Sequence, residues 1–182
     1  MDGKIDGIVD GGPCSVGVES TIVDLTETPP RLLRPGGITL EQLESVLGRV
    51  EVDQAVTRLM SAGEKPRAPG MKYRRYAPKA PVTVVAGRPE RTAEHIARSL
   101  TPGDGVICFD EFAGEFPGCQ IQRMGPAGDK SAQARHIFDA LRAFDHTEVP
   151  RIWAQCPDPS GLGLAINNRL NKAAGFHIVE VK

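Results

Sequence analysis

The chain has 182 residues, 40% of them hydrophobic, with 22 basic and 23 acidic side chains and a formal net charge of -1. That apolar content supports a buried core, while the near balance of charge excludes a global nucleic-acid or membrane-surface binder, so any charged site must be local. No apolar run reaches the roughly 20 residues needed to span a bilayer, and the opening MDGKIDGIVDGG lacks the basic and apolar regions of a signal peptide, so a cytoplasmic location is expected.

The first fifty residues read as strands and turns followed by one helix. Apolar stretches at Ile5 to Val9 and Thr21 to Leu25 are predicted strands, and Arg31 to Arg34 a third, stopping at the Pro35-Gly36-Gly37 turn. Thr39 with Gln42 has capping-box spacing for a helix carrying Leu40, Leu43 and Leu47 on one face and ending at Gly48. These elements are too few to enclose a core by themselves and read as the tail of a larger domain. From Val52 to Lys79 no period is convincing, and Pro66, Pro69, Gly70 and Pro78 favour extended or turned backbone, hence a linker. Its second half crowds Lys65, Arg67, Lys72, Arg74, Arg75 and Lys79 around Tyr73 and Tyr76, both tyrosines of the chain.

Beyond Pro81 strands and helices alternate. Strands are predicted at Val82 to Ala86, Gly105 to Phe109, Gln120 to Met124, Arg151 to Gln155 and His177 to Val181. Helices are predicted near Ala93 to Leu100, Ala132 to Phe144 and Leu164 to Ala174. Such alternation implies crossover units and a largely parallel sheet covered on both faces. No GxGxxG follows the first of these strands, so no dinucleotide site is indicated. The organisation expected is residues 1–50 as the end of one α/β domain, 51–80 as linker, and 81–182 as a small Rossmann-like domain.

Four motifs carry candidate chemistry. In Gly17-Val-Glu-Ser-Thr-Ile-Val-Asp24, Ser20 or Thr21 can donate to a carboxylate or phosphate oxygen, or merely cap a turn. Arg34, at a strand end beside a glycine turn, suits a guanidinium that pairs with phosphate, or a surface salt bridge. Ala68-Pro-Gly-Met-Lys-Tyr-Arg-Arg-Tyr-Ala-Pro78 mixes cations and aromatics, as a base-stacking grip, a lid over an anionic substrate, or a solvated tether. Gly161 to Ala174 starts with glycines at a helix N-terminus, yet Leu164, Ile166, Leu170 and Ala174 read as a packing stripe, with Arg169 and Lys172 past the first turn. The cysteines, Cys14, Cys108, Cys119 and Cys156, form no CxxC pair and read as buried free thiols. The four histidines lack metal-ligand spacing and read as structural or exposed.

Taken in order, GVESTIVDL, LLRPGGIT, APGMKYRRYAP and GLGLAINNRLNKAAG resemble the long threonylcarbamoyl-AMP synthases, which join a YrdC-like α/β domain through a linker to a Rossmann-like domain. The resemblance runs over essentially the whole chain. It implies condensation of L-threonine, bicarbonate and ATP, the latter with Mg2+, to threonylcarbamoyl-adenylate and pyrophosphate, on the way to N6-threonylcarbamoyl-adenosine 37 in tRNA. No tightly bound cofactor is implied, and downstream tRNA-modifying proteins are possible partners. By the same resemblance Ser20 matches a serine contacting L-threonine and Arg34 an arginine on the ATP side. Tyr73 and Tyr76, with Lys72, Arg74 and Arg75, become candidates for a linker lid. Arg75 stands where the family pattern carries histidine, and it cannot serve as a neutral acceptor or proton shuttle near pH 7. The family's Lys/Arg-rich motif and Ser-Ala-Asn stretch are expected upstream of Met1, so the chain alone is expected to be inactive or nearly so. A rival expectation is a non-catalytic module binding nucleotide, tRNA or a partner protein.

Overall fold

A computed structural model describes residues 3–12, 14–61, 63–69 and 77–182. They build two sheets. In the smaller, β1 (Ile22–Asp24) runs antiparallel to β2 (Arg31–Arg34), with Val23 opposite Leu32, and β3 (Glu51–Val52) adds parallel to β2. Between β2 and β3 lies α1 (Leu40–Leu47), closed by the expected capping box: Gln42 N–H donates to Thr39 Oγ1 (3.3 Å) and Thr39 N–H to Gln42 Oε1 (2.9 Å).

The larger sheet is parallel throughout and contains β4 (Val82–Ala86), β5 (Gly105–Cys108), β6 (Gln120–Arg123), β7 (Ile152–Cys156) and β8 (Ile178–Glu180), in spatial order β6-β5-β7-β4-β8. Because successive side chains of a strand point to opposite faces, two cores form. Val85, Val106 and Cys108 pack against Ala93 and Ile96 of α3 (Pro89–Ser99). Val84, Ile107, Ile152 and Ala154 meet Ile137 and Leu141 of α4 (Lys130–Ala143) and Ile166 and Leu170 of α5 (Gly163–Ala173) on the other face. Each valine, isoleucine or leucine among them contributes roughly 1.5–3 kcal/mol on burial. The expected α/β class and parallel sheet are thus present.

Several elements differ from the sequence reading. Ile5 to Val9 is not a strand. Ile8 and Val9 are 71% and 99% exposed, and no described strand lies alongside to accept its backbone hydrogen bonds. The segment read as irregular from Val52 opens with the pairing of β3 and a short helix, α2 (Gln54–Thr57), which Asp53 caps by accepting from Ala55 N–H (2.9 Å). Helix α3 begins at Pro89, earlier than expected, because proline suits a first helical position whose N–H has no partner. Of the four free thiols, Cys108 and Cys156 are buried, but Cys14 is exposed and Cys119 only half-buried.

Candidate functional site

The site forms where the first segment meets the larger sheet. The loop between β2 and α1 folds back onto the strand entry at Glu19 to Thr21, and Gly37 N–H donates to Glu19 C=O (3.2 Å). The approach is so close that a Cβ on Gly36 would sit 2.1 Å from Glu19 O, so only glycine fits. Thr21 clamps the same turn, its hydroxyl donating to Ile38 C=O (2.6 Å) and accepting from Ile38 N–H (3.0 Å). Of the two candidate hydroxyls, Thr21 is therefore committed to the backbone and Ser20 stays exposed.

The structure brings Ser20 and Arg34 together. Arg34 Nε donates to Ser20 C=O (3.0 Å) and Nη2 to Ser20 Oγ (3.0 Å), so a planar fork holds both oxygens of one residue. Its Nη1 reaches Pro69 C=O at 3.5 Å, the last described residue before residues 70–76. Lys72, Tyr73, Arg74, Arg75 and Tyr76, the lid candidates, lie outside the described residues. Arg67, one of the cations of this stretch, is paired with Asp24 (2.5 Å) and Glu27 (2.6 Å). Hydrogen bonds from the Thr26 side chain and backbone hold the Asp24 carboxyl below the usual range, and the Arg67 charge lowers it further.

Sequence reasoning missed the residues behind this fork. Glu19, next to Ser20, forms an ion pair with Arg169 of α5, whose side chain is only 3% exposed and lies 5.8 Å over the Phe138 ring of α4. Lys172, one turn on, is also buried. Burial is the first cause that lowers its pKa to about 8; the nearby Arg169 and Arg34 lower it further, and Glu19 opposes them. These cations interrupt an otherwise apolar stripe, Ile166, Leu170 and Ala173, and that interruption was the available signal. A buried cation in a packing stripe demands a counter-charge.

Other contacts lock the junction. Asn168 Nδ2 donates to Val56 C=O (2.7 Å), and Gly161 N–H donates to Glu41 of α1 (3.0 Å). Gly17, at φ +77°, lies so near α4 that a Cβ would meet Arg135 Cα at 2.3 Å. Beside it a cavity of about 270 Å³ opens between Val18, Glu19, Phe138 and Arg142. A second, of about 240 Å³, is lined by Arg31, Asp53, Arg58, Glu64 and Arg67, in which each arginine already faces a carboxylate. Among the described residues no group of three or more His, Cys, Asp or Glu side chains could hold a metal ion.

A two-part α/β protein with a serine–arginine fork at the junction of its parts is the class these features define. Residues 38–175 match the family described as threonylcarbamoyl-AMP synthase, C-terminal domain, and residues 1–36 match one described as telomere recombination. The chain belongs to the threonylcarbamoyl-AMP synthase family. It is 43% identical to the threonylcarbamoyl-AMP synthase of Bacillus subtilis, over 98% of this chain and 51% of that protein. It is 42% identical to that of Pyrococcus abyssi, over 98% and 52%. The crystal structure of P. abyssi Sua5 complexed with L-threonine superposes with a TM-score of 0.81 at 40% identity, covering 100% of this chain and 53% of that one. The chain therefore spans about half the length of the relatives it matches.

Proposed function

We propose that this chain supplies the threonine-side wall and the linker of an L-threonylcarbamoyladenylate synthase, which forms threonylcarbamoyl-AMP and pyrophosphate from L-threonine, bicarbonate and Mg2+-ATP for tRNA modification in the cytoplasm. The observation that carries this is the Arg34 fork. Because Arg34 donates to Ser20 Oγ, the serine's own proton is left to donate to a substrate carboxylate, and the arginine presents fixed positive charge beside it. The P. abyssi relative was crystallised with L-threonine, which supports an amino-acid site in this family. Arg34 also touches the linker at Pro69, so closure of residues 70–76 over the nucleotide would bring Tyr73, Tyr76 and their cations to the same place. The remaining cations that adenylation requires belong to the half of the relatives' length that this chain does not span.

The test is pyrophosphate release from ATP, L-threonine and bicarbonate by this chain and by a protein extended to the relatives' full length. The longer protein turns over and the 182-residue chain does not. In the longer protein Arg34→Ala lowers kcat/KM about 100-fold, on the order of 3 kcal/mol for two charge-assisted hydrogen bonds. Unchanged kcat/KM in that variant overturns the assignment, and RNA affinity that falls steeply with salt in an inactive longer protein would favour a binding module instead.

A further inference from the structure

The larger sheet has a feature that the synthase reaction does not use. Strands β4 and β7 are neighbours, Val84 opposite Ala154, yet the chain leaves them toward opposite faces: β4 leads into α3 on one face, β7 into α5 on the other. At such a switch point in a parallel sheet the two departing loops separate and leave a crevice beyond the strand ends, the place where doubly wound proteins bind ligands. Here the crevice is real and measures about 530 Å³, within the roughly 300–1,000 Å³ typical of small-molecule sites.

Its walls are chemically divided. Pro89, Pro157, Pro159 and Ile178 offer flat apolar surface. Two amides of α5 face the crevice one helical turn apart. Asn167 is fully engaged, its Oδ1 accepting from the Cys156 thiol (2.9 Å) and its Nδ2 donating to Pro157 C=O (2.9 Å), which stiffens the wall. Asn171 differs: its Oδ1 is buried yet has no hydrogen-bond partner. Because that oxygen is sealed behind the wall, the group Asn171 offers a ligand in the crevice is its amide N–H, a donor for a ring nitrogen or carbonyl oxygen. At the rim stand Arg88, where α3 begins, and the carboxylates Asp158 and Glu180. Lys130 holds Asp158 ionised, with its pKa lowered to about 2. Gly87, at φ +150°, makes the turn that opens this end, since a Cβ there would strike Val181 O at 2.4 Å.

We propose that this crevice binds a nucleoside monophosphate: a flat heterocycle between the prolines and Ile178 accepting a hydrogen bond from Asn171 Nδ2, sugar hydroxyls on Asp158 and Glu180, and phosphate at Arg88 and the start of α3. The site is separate from the Ser20–Arg34 fork and does not depend on the reaction proposed for it.

Isothermal titration of the 182-residue chain with AMP, GMP, CMP and UMP, each into the millimolar range, tests it. One or more of the four binds, and Arg88→Ala and Asn171→Leu each weaken that binding about tenfold or more, the loss of one good hydrogen bond or ion pair. Arg34→Ala leaves it unchanged, which separates this crevice from the synthase site. Asn171→Leu also keeps or raises the melting temperature, because it removes an unpaired buried oxygen; a merely structural amide would instead melt lower. The proposal is overturned if none of the four binds, if binding survives both crevice substitutions, or if Arg34→Ala abolishes it.

Discussion

The two sheets of this chain bury their apolar residues very differently. In the five-stranded sheet both faces are covered by helices, and nearly all the largest fully buried side chains, such as Phe109, Phe116, Phe144, Ile107 and Leu170, belong to it. The three-stranded segment contributes Leu32 to that class, and every exposed large hydrophobic among the described residues falls at or before Leu59. The first segment is held less by a core of its own than by polar contacts onto α5 and the turn before it: Arg169 to Glu19, Asn168 to Val56, Gly161 to Glu41. A segment held in this way places its site where the anchoring helices put it. The C-terminal part therefore helps to set the geometry of Ser20 and Arg34.

The contrast can be broken first in the cores. Phe144→Ala, at a side chain 1% exposed, lowers unfolding free energy by about 3–5 kcal/mol, whereas Val46→Ala in α1, at 82% exposure, changes it by less than about 0.5 kcal/mol. Urea denaturation of the two variants measures both, and equal effects would show the sheets to be equally dependent on packing.

The anchor comes next. Arg169→Met leaves Glu19 without its buried partner and costs about 3 kcal/mol, the lower end for breaking such a pair because Glu19 remains 26% exposed. The loss falls on the first segment. Amide hydrogen exchange accelerates in Val18 to Thr21 and in β2, while β5 amides exchange as before; uniform acceleration would mean that the two parts unfold as one unit.

The smallest effect is electrostatic and sharpens the same boundary. Lys172 has a folded pKa of about 8, below its ordinary value, so the unfolded chain binds more protons than the folded one between pH 8 and that ordinary value. The penalty of burying its charge is fully present below about pH 8 and is relieved as pH rises. Above about pH 9 the buried thiols Cys108 and Cys156, pushed up to about 12 by burial, act in the opposite direction. Between pH 8 and 9 the wild type accordingly gains about 1 kcal/mol relative to Lys172→Met, read as the difference between their unfolding curves. A flat difference across that interval would place Lys172 in contact with water.

What could be read from sequence follows the range of the interactions involved. The capping box at Thr39 and Gln42, the turn at Pro35 to Gly37 and the strand–helix alternation after Pro81 arise from neighbours within a few residues, and each is present. Where local preference and long-range pairing disagreed, the reading failed. Ile5 to Val9 has strand composition but no strand beside it, and Glu51–Val52 looked like linker until β2 supplied a ladder for it. The site divides in the same way. Ser20 and Arg34 were marked by motif, but the fork that joins them spans 14 residues of sequence and rests on a turn that only Gly36 permits.

By itself, then, the sequence determined the class of fold, the family and the two residues of the fork, because local hydrogen bonding, hydrophobic period and motif order are written along the chain. Only the tertiary structure decided that Arg169 and Lys172 are buried behind the Ser20–Arg34 fork, and that β4 and β7 part to leave a crevice. Those outcomes depend on which helix face meets Glu19 and on which strands become neighbours, and burial and crossover are properties of packing between distant segments that no local pattern encodes.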